Sequence, residues 1–324
     1  MKSMLVITVC ILALSTIFSS CEKKDTDPKK NTGTAFVIAS DSVAFESVLR
    51  DIPANYIEAA RNNLHVAYQH TSHGTHVSYG LFGLPDYKAG DETMFAITNN
   101  NPQSGKLDFR DYAMASYAEA GTDASDLSRD ETAFIQATRN YLDDDDNSEI
   151  NVVMWSWCDI AGHYVADNYL PGMQTLINEY SEGGSKIGTA AGQRENAVAF
   201  IFMTGHANKD NNVGDKKPKN QAELIIDYCK ENKYYCLDYY GIDTHDMDGN
   251  YWEDAGDNGD SSTGGTFFLD WQNSHSVGNG FYENKNAPGG TVTVGAHNNQ
   301  HITANRKAYA MWYILARIAG WDGH

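Results

Sequence analysis

Short apolar, β-branched segments alternate along this chain with longer stretches of helical periodicity, and that alternation restricts the fold to repeated βαβ units on a parallel sheet. The strand segments are Leu64 to Gln69, Tyr112 to Tyr117, Ile150 to Trp155, Val198 to Met203 and Tyr234 to Asp238. Helical patterns lie near Gly74 to Phe82, Ser128 to Leu142, Tyr164 to Tyr180, Asn220 to Asn232 and Thr303 to Ala319. In the last of these Ala308, Met311, Trp312, Leu315 and Ile318 fall on one face, as a core-facing stripe requires. The expectation is an α/β fold, a flavodoxin-like doubly wound sheet of about five parallel strands with helices on both faces. Residues 85–110 and 241–296 break the rhythm with turn-forming and polar residues. Loops of that length in a compact domain usually carry function, and both would emerge at the carboxyl edge of the sheet, where ligands bind in open α/β folds.

The N-terminus has a different organisation. Lys2 precedes an apolar run from Met4 to Phe18, and Ser19-Ser20-Cys21 follows. A positive start, a short apolar stretch and small residues before a cleavage point are the parts of an export signal. Cleavage before a cysteine resembles the lipobox of bacterial lipoproteins, which implies that Cys21 is lipidated. Glu22 to Ala35 is polar and cannot bury itself, so it reads as a disordered tether spanning roughly 20 Å on average. The expected organisation is a signal peptide over 1–20, a lipidated tether over 21–35 and one α/β domain over 36–324. The EKKD after Cys21 resembles signals that send lipoproteins to the outer face of an outer membrane, so the expected address is the cell envelope, with the membrane touched only through the anchor.

Forty-three acidic against 24 basic residues give a net charge of -19, which repels phosphate backbones and makes nucleic acid an unfavourable partner. Of five cysteines, Cys158, Cys229 and Cys236 lie in the domain, so one disulfide at most can form, and their spacing matches no zinc motif.

Polar residues follow every strand segment. His70-Thr71-Ser72-His73-Gly74 comes after the first, Glu119-Ala120-Gly121 after the second, and Ser156-Trp157-Cys158-Asp159 after the third. Thr204-Gly205-His206-Ala207-Asn208 follows the fourth and Gly241-Ile242-Asp243 the fifth. Ser72, between a strand and a helix, would lie beside unpaired helix N-terminal amides; it can serve as a nucleophile there, or simply as a cap. A hydroxyl nucleophile needs a base, and His301, just before the last helix, is the candidate.

This order of strand ends resembles the SGNH hydrolase superfamily, the GDSL-type esterases and lipases. AGTDASDL looks like the second block of that family, with Gly121 as its glycine, and Asn298-Asn299-Gln300-His301 is similar to the fourth. The resemblance implies Ser72 as nucleophile, His301 as base, and the Ser72 amide with Gly121 as oxyanion donors. Cys158 stands where the family has an asparagine and Asn298 where it has the aspartate that orients the histidine. Ser156 or Asn208 could supply the missing donor, and Asp243 or Asp270 the missing acid. His73, Trp157, Asp159, His206, Asn208 and Asp243 would line the substrate cleft. The implied activity is removal of acyl groups, acetyl above all, from extracellular carbohydrate or another small ester, with no cofactor.

Two other readings stand beside this one. Cys158 and Asn298 also fit a non-catalytic glycan-binding lipoprotein on a degenerate hydrolase fold. The imidazoles of His70, His73, His76, His206, His275 and His297, with Asp243, have the chemistry of transition-metal ligands and would suit a metal-dependent hydrolase. The acidic run from Asp243 to Asp260 departs from an EF-hand at Thr244 and Ala255 and reads as a solvated loop. Trp155, Trp157, Tyr251, Trp252 and Trp271 beside the cleft segments offer faces for a sugar ring or packing for the core.

Overall fold

A computed structural model describes residues 37–324. Val152-Val153-Met154-Trp155 and Ala199-Phe200-Ile201-Phe202-Met203 are almost uninterrupted apolar runs, the composition of strands covered on both faces. They form β4 (Val152–Trp155) and β5 (Ala199–Met203) at the middle of a six-stranded sheet that also contains β1 (Val37–Ala39), β2 (His65–Gln69), β3 (Asp108–Asp111) and β6 (Tyr235–Leu237). All pairings in it are parallel and the order is β1-β6-β5-β4-β2-β3. The edges follow the usual protective rule: β1 has three residues, and β3, Asp-Phe-Arg-Asp, carries three charged residues and one phenylalanine.

From β2 onward the order is that of a flavodoxin-like doubly wound sheet, with β1 added beside β6. The fold class is therefore α/β with a parallel sheet as expected, with six strands where five were read. The second strand lies earlier than the Tyr112 to Tyr117 segment assigned to it. Tyr112 turns the chain at φ 56, the amides of Met114 and Ala115 both donate to Oε1 of Gln69 at 2.8 Å, and residues 115–117 form a 3-10 turn. A side chain, not a strand ladder, satisfies that backbone.

The helices are α1 (Glu46–Asp51), α2 (Ala54–Asn63), α3 (Thr75–Gly83), α4 (Asp91–Met94), α5 (Ala133–Leu142), α6 (Leu170–Tyr180), α7 (Pro218–Asn232), α8 (Tyr239–Thr244), α9 (Phe267–Asn273) and α10 (Ile302–Ile318). Alternate strand residues divide between two cores. Val66, Tyr68, Met154, Ile201 and Leu237 face α2, α3 and α10, whereas Ala67, Val153, Trp155, Phe200 and Cys236 face α5, α6 and α7. Each fully buried large side chain contributes about 1.5–3 kcal/mol by leaving water. Gly80 lets α3 meet α10 closely, since a Cβ there would collide with the Ala304 carbonyl. Helix α5 starts at Ala133 and not at Ser128, because the Ser128 hydroxyl is committed to the loop after β4, accepting from the amides of Cys158 and Asp159 at 2.9 Å each. The segments expected to be signal and tether, Cys21 among them, lie outside the described residues.

Candidate active site

The chain leaves β2 to one side to form β3 and crosses to the other side for β4, so the crevice outside the carboxyl ends of β2 and β4 is the topological switch point. Ser72 sits there at φ 30, a conformation that a residue with a Cβ adopts at a cost of about 1–3 kcal/mol. The surrounding contacts enforce it. Thr71 bonds Asp126, the Gly74 amide donates to Thr71 O at 2.8 Å, and the Thr75 hydroxyl donates to Ser72 O at 2.6 Å. Tyr68 adds a bond from its hydroxyl to Gly74 O at 3.0 Å.

The loop before α10 is fastened to this same turn. The Ala296 amide donates to the Thr75 hydroxyl at 3.0 Å, and His76 Nε2 lies 3.0 Å from Ala296 O. Gly295 lies against the His76 ring with no room for a Cβ. His76 Nδ1 is 2.8 Å from the Tyr239 hydroxyl. Burial, with Lys307 nearby, holds the imidazole well below its usual pKa, so it is neutral. A neutral ring beside a carbonyl carries its proton on Nε2, and the single Tyr239 hydroxyl proton is then shared between His76 Nδ1 and the His73 carbonyl, 2.9 Å away.

These ties bring His297, at φ 64, over the ring of His73, with 4.6 Å between centroids. The opposite face of His73 stacks on His206 at 3.6 Å. Burial and the neighbouring His206, His76 and His297 drive the His73 pKa far down. His73 and His76 therefore support the fold above about pH 6.5, where they are neutral in the unfolded chain too, and withdraw that support as pH falls. His206 Nδ1 donates to Ala207 O at 2.9 Å, and its Nε2 faces Asp159 Oδ1 at 4.0 Å. Beside it Asn208 donates to Asp159 Oδ1 at 3.2 Å, and the Asp159 side chain is half exposed. Four of the expected cleft residues, His73, His206, Asn208 and Asp159, thus come together.

Two acids adjoin them, Asp243 fully buried and Asp257 with a side chain 16% exposed. Lys307, fully buried, donates to Asp243 Oδ1 at 2.5 Å and lies 4.1 Å from the centre of the Tyr239 ring. Burial still wins over the lysine and pushes Asp243 up to about 6. Asp257 approaches His73 Nε2 to 3.5 Å, yet its Oδ2 has no hydrogen-bond partner, and burial raises it to about 6 as well. Between about pH 4 and 6 the folded protein keeps a proton on Asp257 that the unfolded chain has lost, so stability falls as pH rises through that window. A carboxyl held at about 6 costs the folded state about 3 kcal/mol at most above that window. The Asp257→Asn variant is expected to melt several degrees above wild type at pH 7.5 and at the same temperature at pH 4, as read by calorimetry at both pH values. Equal melting at pH 7.5 would contradict a carboxylate that burial holds above its usual pKa.

Other expected residues lie elsewhere. His301 Nδ1 accepts from the Asn284 amide at 3.1 Å and its ring stacks on Phe281. Asn284 packs against Gly83, eleven positions beyond Ser72 and about 16 Å away along α3 at the rise of a helix. No hydrogen bond among the described residues joins either His301 or His297 to Ser72; the tie to the Ser72 turn runs through Ala296, next to His297. Neither Asp243, paired with Lys307, nor Asp270, which accepts from Thr266 at 3.0 Å, stands behind His301. Asn298 bonds Thr303 and the Asp257 carbonyl. Gly121 lies in an exposed turn at φ 89, and Trp157 is wholly buried against Tyr169. Cys158 is half-buried beside the site, its amide taken by Ser128.

The histidines stack where a metal site would need them to converge. Ring nitrogens present their lone pairs in the ring plane, so face-to-face rings do not share a focus. His70 is instead bonded to Asp111 at 2.7 Å and His275 stacks on Trp271. Among the described residues no group of three or more His, Cys, Asp or Glu side chains is arranged to hold a metal ion.

Sequence reasoning named His297 only as a ligand and passed over Lys307. A readable signal existed for Lys307, which lies at helical spacing with Ala304, Ala308 and Met311 on the apolar face of α10. For His297 there was none, because the bonds that place it come from Thr75 and His76, more than 200 residues away. No protein-family model, no curated protein and no solved structure matches this chain.

Proposed function

We propose that the protein is a serine esterase of the SGNH type, exported and held at the cell envelope through Cys21, that removes acyl groups, chiefly acetyl, from extracellular carbohydrate. The observation that carries this reading is Ser72 at φ 30 on the switch-point turn, with the His297 loop bonded to that turn. Ser72 Oγ attacks the ester carbonyl while His297 takes its proton. The tetrahedral oxyanion collapses, the sugar hydroxyl leaves with that proton, and water repeats the sequence to release the carboxylic acid. His297 takes the part expected of His301, four residues earlier in the same loop. The residue type and the loop agree with the resemblance, and the position differs.

Two observations favour a second reading, a glycan-binding lipoprotein on a degenerate hydrolase fold. Among the described residues no carboxylate makes an ion pair with His297, and the amides of Cys158 and Asp159 are occupied by Ser128. Turnover of 4-nitrophenyl acetate and of acetylated xylan separates the two. Wild type is expected to hydrolyse at least one, with Ser72→Ala slower by about 10³-fold or more. Ester turnover undiminished in Ser72→Ala would remove the esterase reading.

A further inference from the structure

Beside the site lies a groove of about 640 Å³ that none of the preceding chemistry uses. We infer that it is a subsite for a chain of neutral or cationic sugar residues, with Tyr251 as its stacking platform and carboxylates as its hydroxyl acceptors. Its volume falls within the ~300–1,000 Å³ range of ligand clefts.

The two walls are continuous with the candidate active site. One is the loop Asp210 to Val213, four residues beyond His206, and the other is Tyr251 to Asp254, three residues before Asp257. A polymer lying in the groove therefore leads towards the stacked imidazoles. The walls are locked to each other in advance. Asn212, almost fully buried, donates to the carbonyls of Glu253 at 2.8 Å and Ala255 at 2.7 Å, accepts from the Asn208 amide at 2.7 Å, and the Asp210 amide donates to Asp254 O at 2.9 Å. Preorganisation of this kind lowers the ordering cost of binding.

Tyr251 is 42% exposed, with its hydroxyl 3.2 Å from that of Tyr240 and its ring against His245. One end is fixed, and exposed aromatic surface remains to lie against the C–H face of a sugar. Trp252 is unsuitable for that part, because Gly264 and Phe267 cover its ring and Asp246 takes its N–H. Asp210, Glu253 and Asp254 line the groove and no lysine or arginine does, which disfavours uronic or sulfated chains and favours neutral or amino sugars. Ser261 and Thr263 occupy Asp254 and Ser262 occupies one oxygen of Asp210, so Glu253 is the principal acceptor for sugar hydroxyls.

This inference rests on the esterase reading only for the fate of the bound chain, so it is tested without catalysis. Calorimetric titration of Ser72→Ala with xylohexaose, chitosan hexamer and hexagalacturonate should give binding of at least one of the first two. The acidic hexamer should bind at least tenfold more weakly. Adding Tyr251→Ala should weaken the bound chain at least tenfold with the melting temperature unchanged. Glu253→Gln should narrow the gap between neutral and acidic chains. Binding of no chain, equal binding of the acidic one, or binding indifferent to Tyr251 would each overturn the assignment. Wild type that binds in this way but hydrolyses no ester would retain the subsite and remove the esterase.

Discussion

Lys307→Ala is expected to destabilise the protein by about 3–5 kcal/mol, the range for breaking a buried ion pair by removing one partner. That is a large share of the roughly 5–15 kcal/mol by which a domain is stable. Lys307 and Asp243 are both wholly inaccessible, 2.5 Å apart. Removing the ammonium leaves Asp243 with the Ala207 amide as its remaining donor and also empties the space against the Tyr239 ring. Because Tyr239 holds His76, and His76 holds Ala296, the loss reaches the His297 loop. The double variant Asp243→Asn, Lys307→Met should recover most of the loss, since replacing both charges removes the unpaired one. Urea unfolding of the three proteins measures this. Additive effects in the double variant would show that the two charges are not coupled.

The second large effect concerns activity. His297→Ala should lower kcat for ester hydrolysis by about 10²–10⁴-fold, the usual contribution of a general base, whereas His301→Ala should change it less than about tenfold. The contrast matters more than either number. Both histidines sit in the loop leading into α10, so general damage to that loop would affect both variants alike. Only His297 is bonded through its neighbours to the Ser72 turn; His301 is engaged by Asn284 and Phe281. The reverse contrast would restore His301 as the base.

The fold was legible where burial dictates composition. The runs in β4 and β5, and the stripe on α10, could hardly belong to anything but buried elements. The edges were harder to read, because an edge strand need not be apolar. Asp108–Asp111 carries three charges and was passed over for the more apolar segment after it, and Val37–Ala39 was too short to register. In the site, Ser72, His73, Asp159, His206 and Asn208 were readable because strand ends on one sheet edge converge. His297 and Asp257 were not, since their positions depend on tertiary bonds from long insertions with no periodicity. The neutrality of His76 and the raised pKa of Asp257 arise from burial, which no local pattern encodes.

The central claim is that Ser72 is a nucleophile activated at the switch point. Treatment with a fluorophosphonate, followed by peptide mass spectrometry, tests it directly. The account predicts one equivalent of adduct on the peptide containing Ser72, strongly slowed in His297→Ala and unaffected in His301→Ala. Native protein that remains unlabelled at Ser72, or is labelled equally fast without His297, would contradict it.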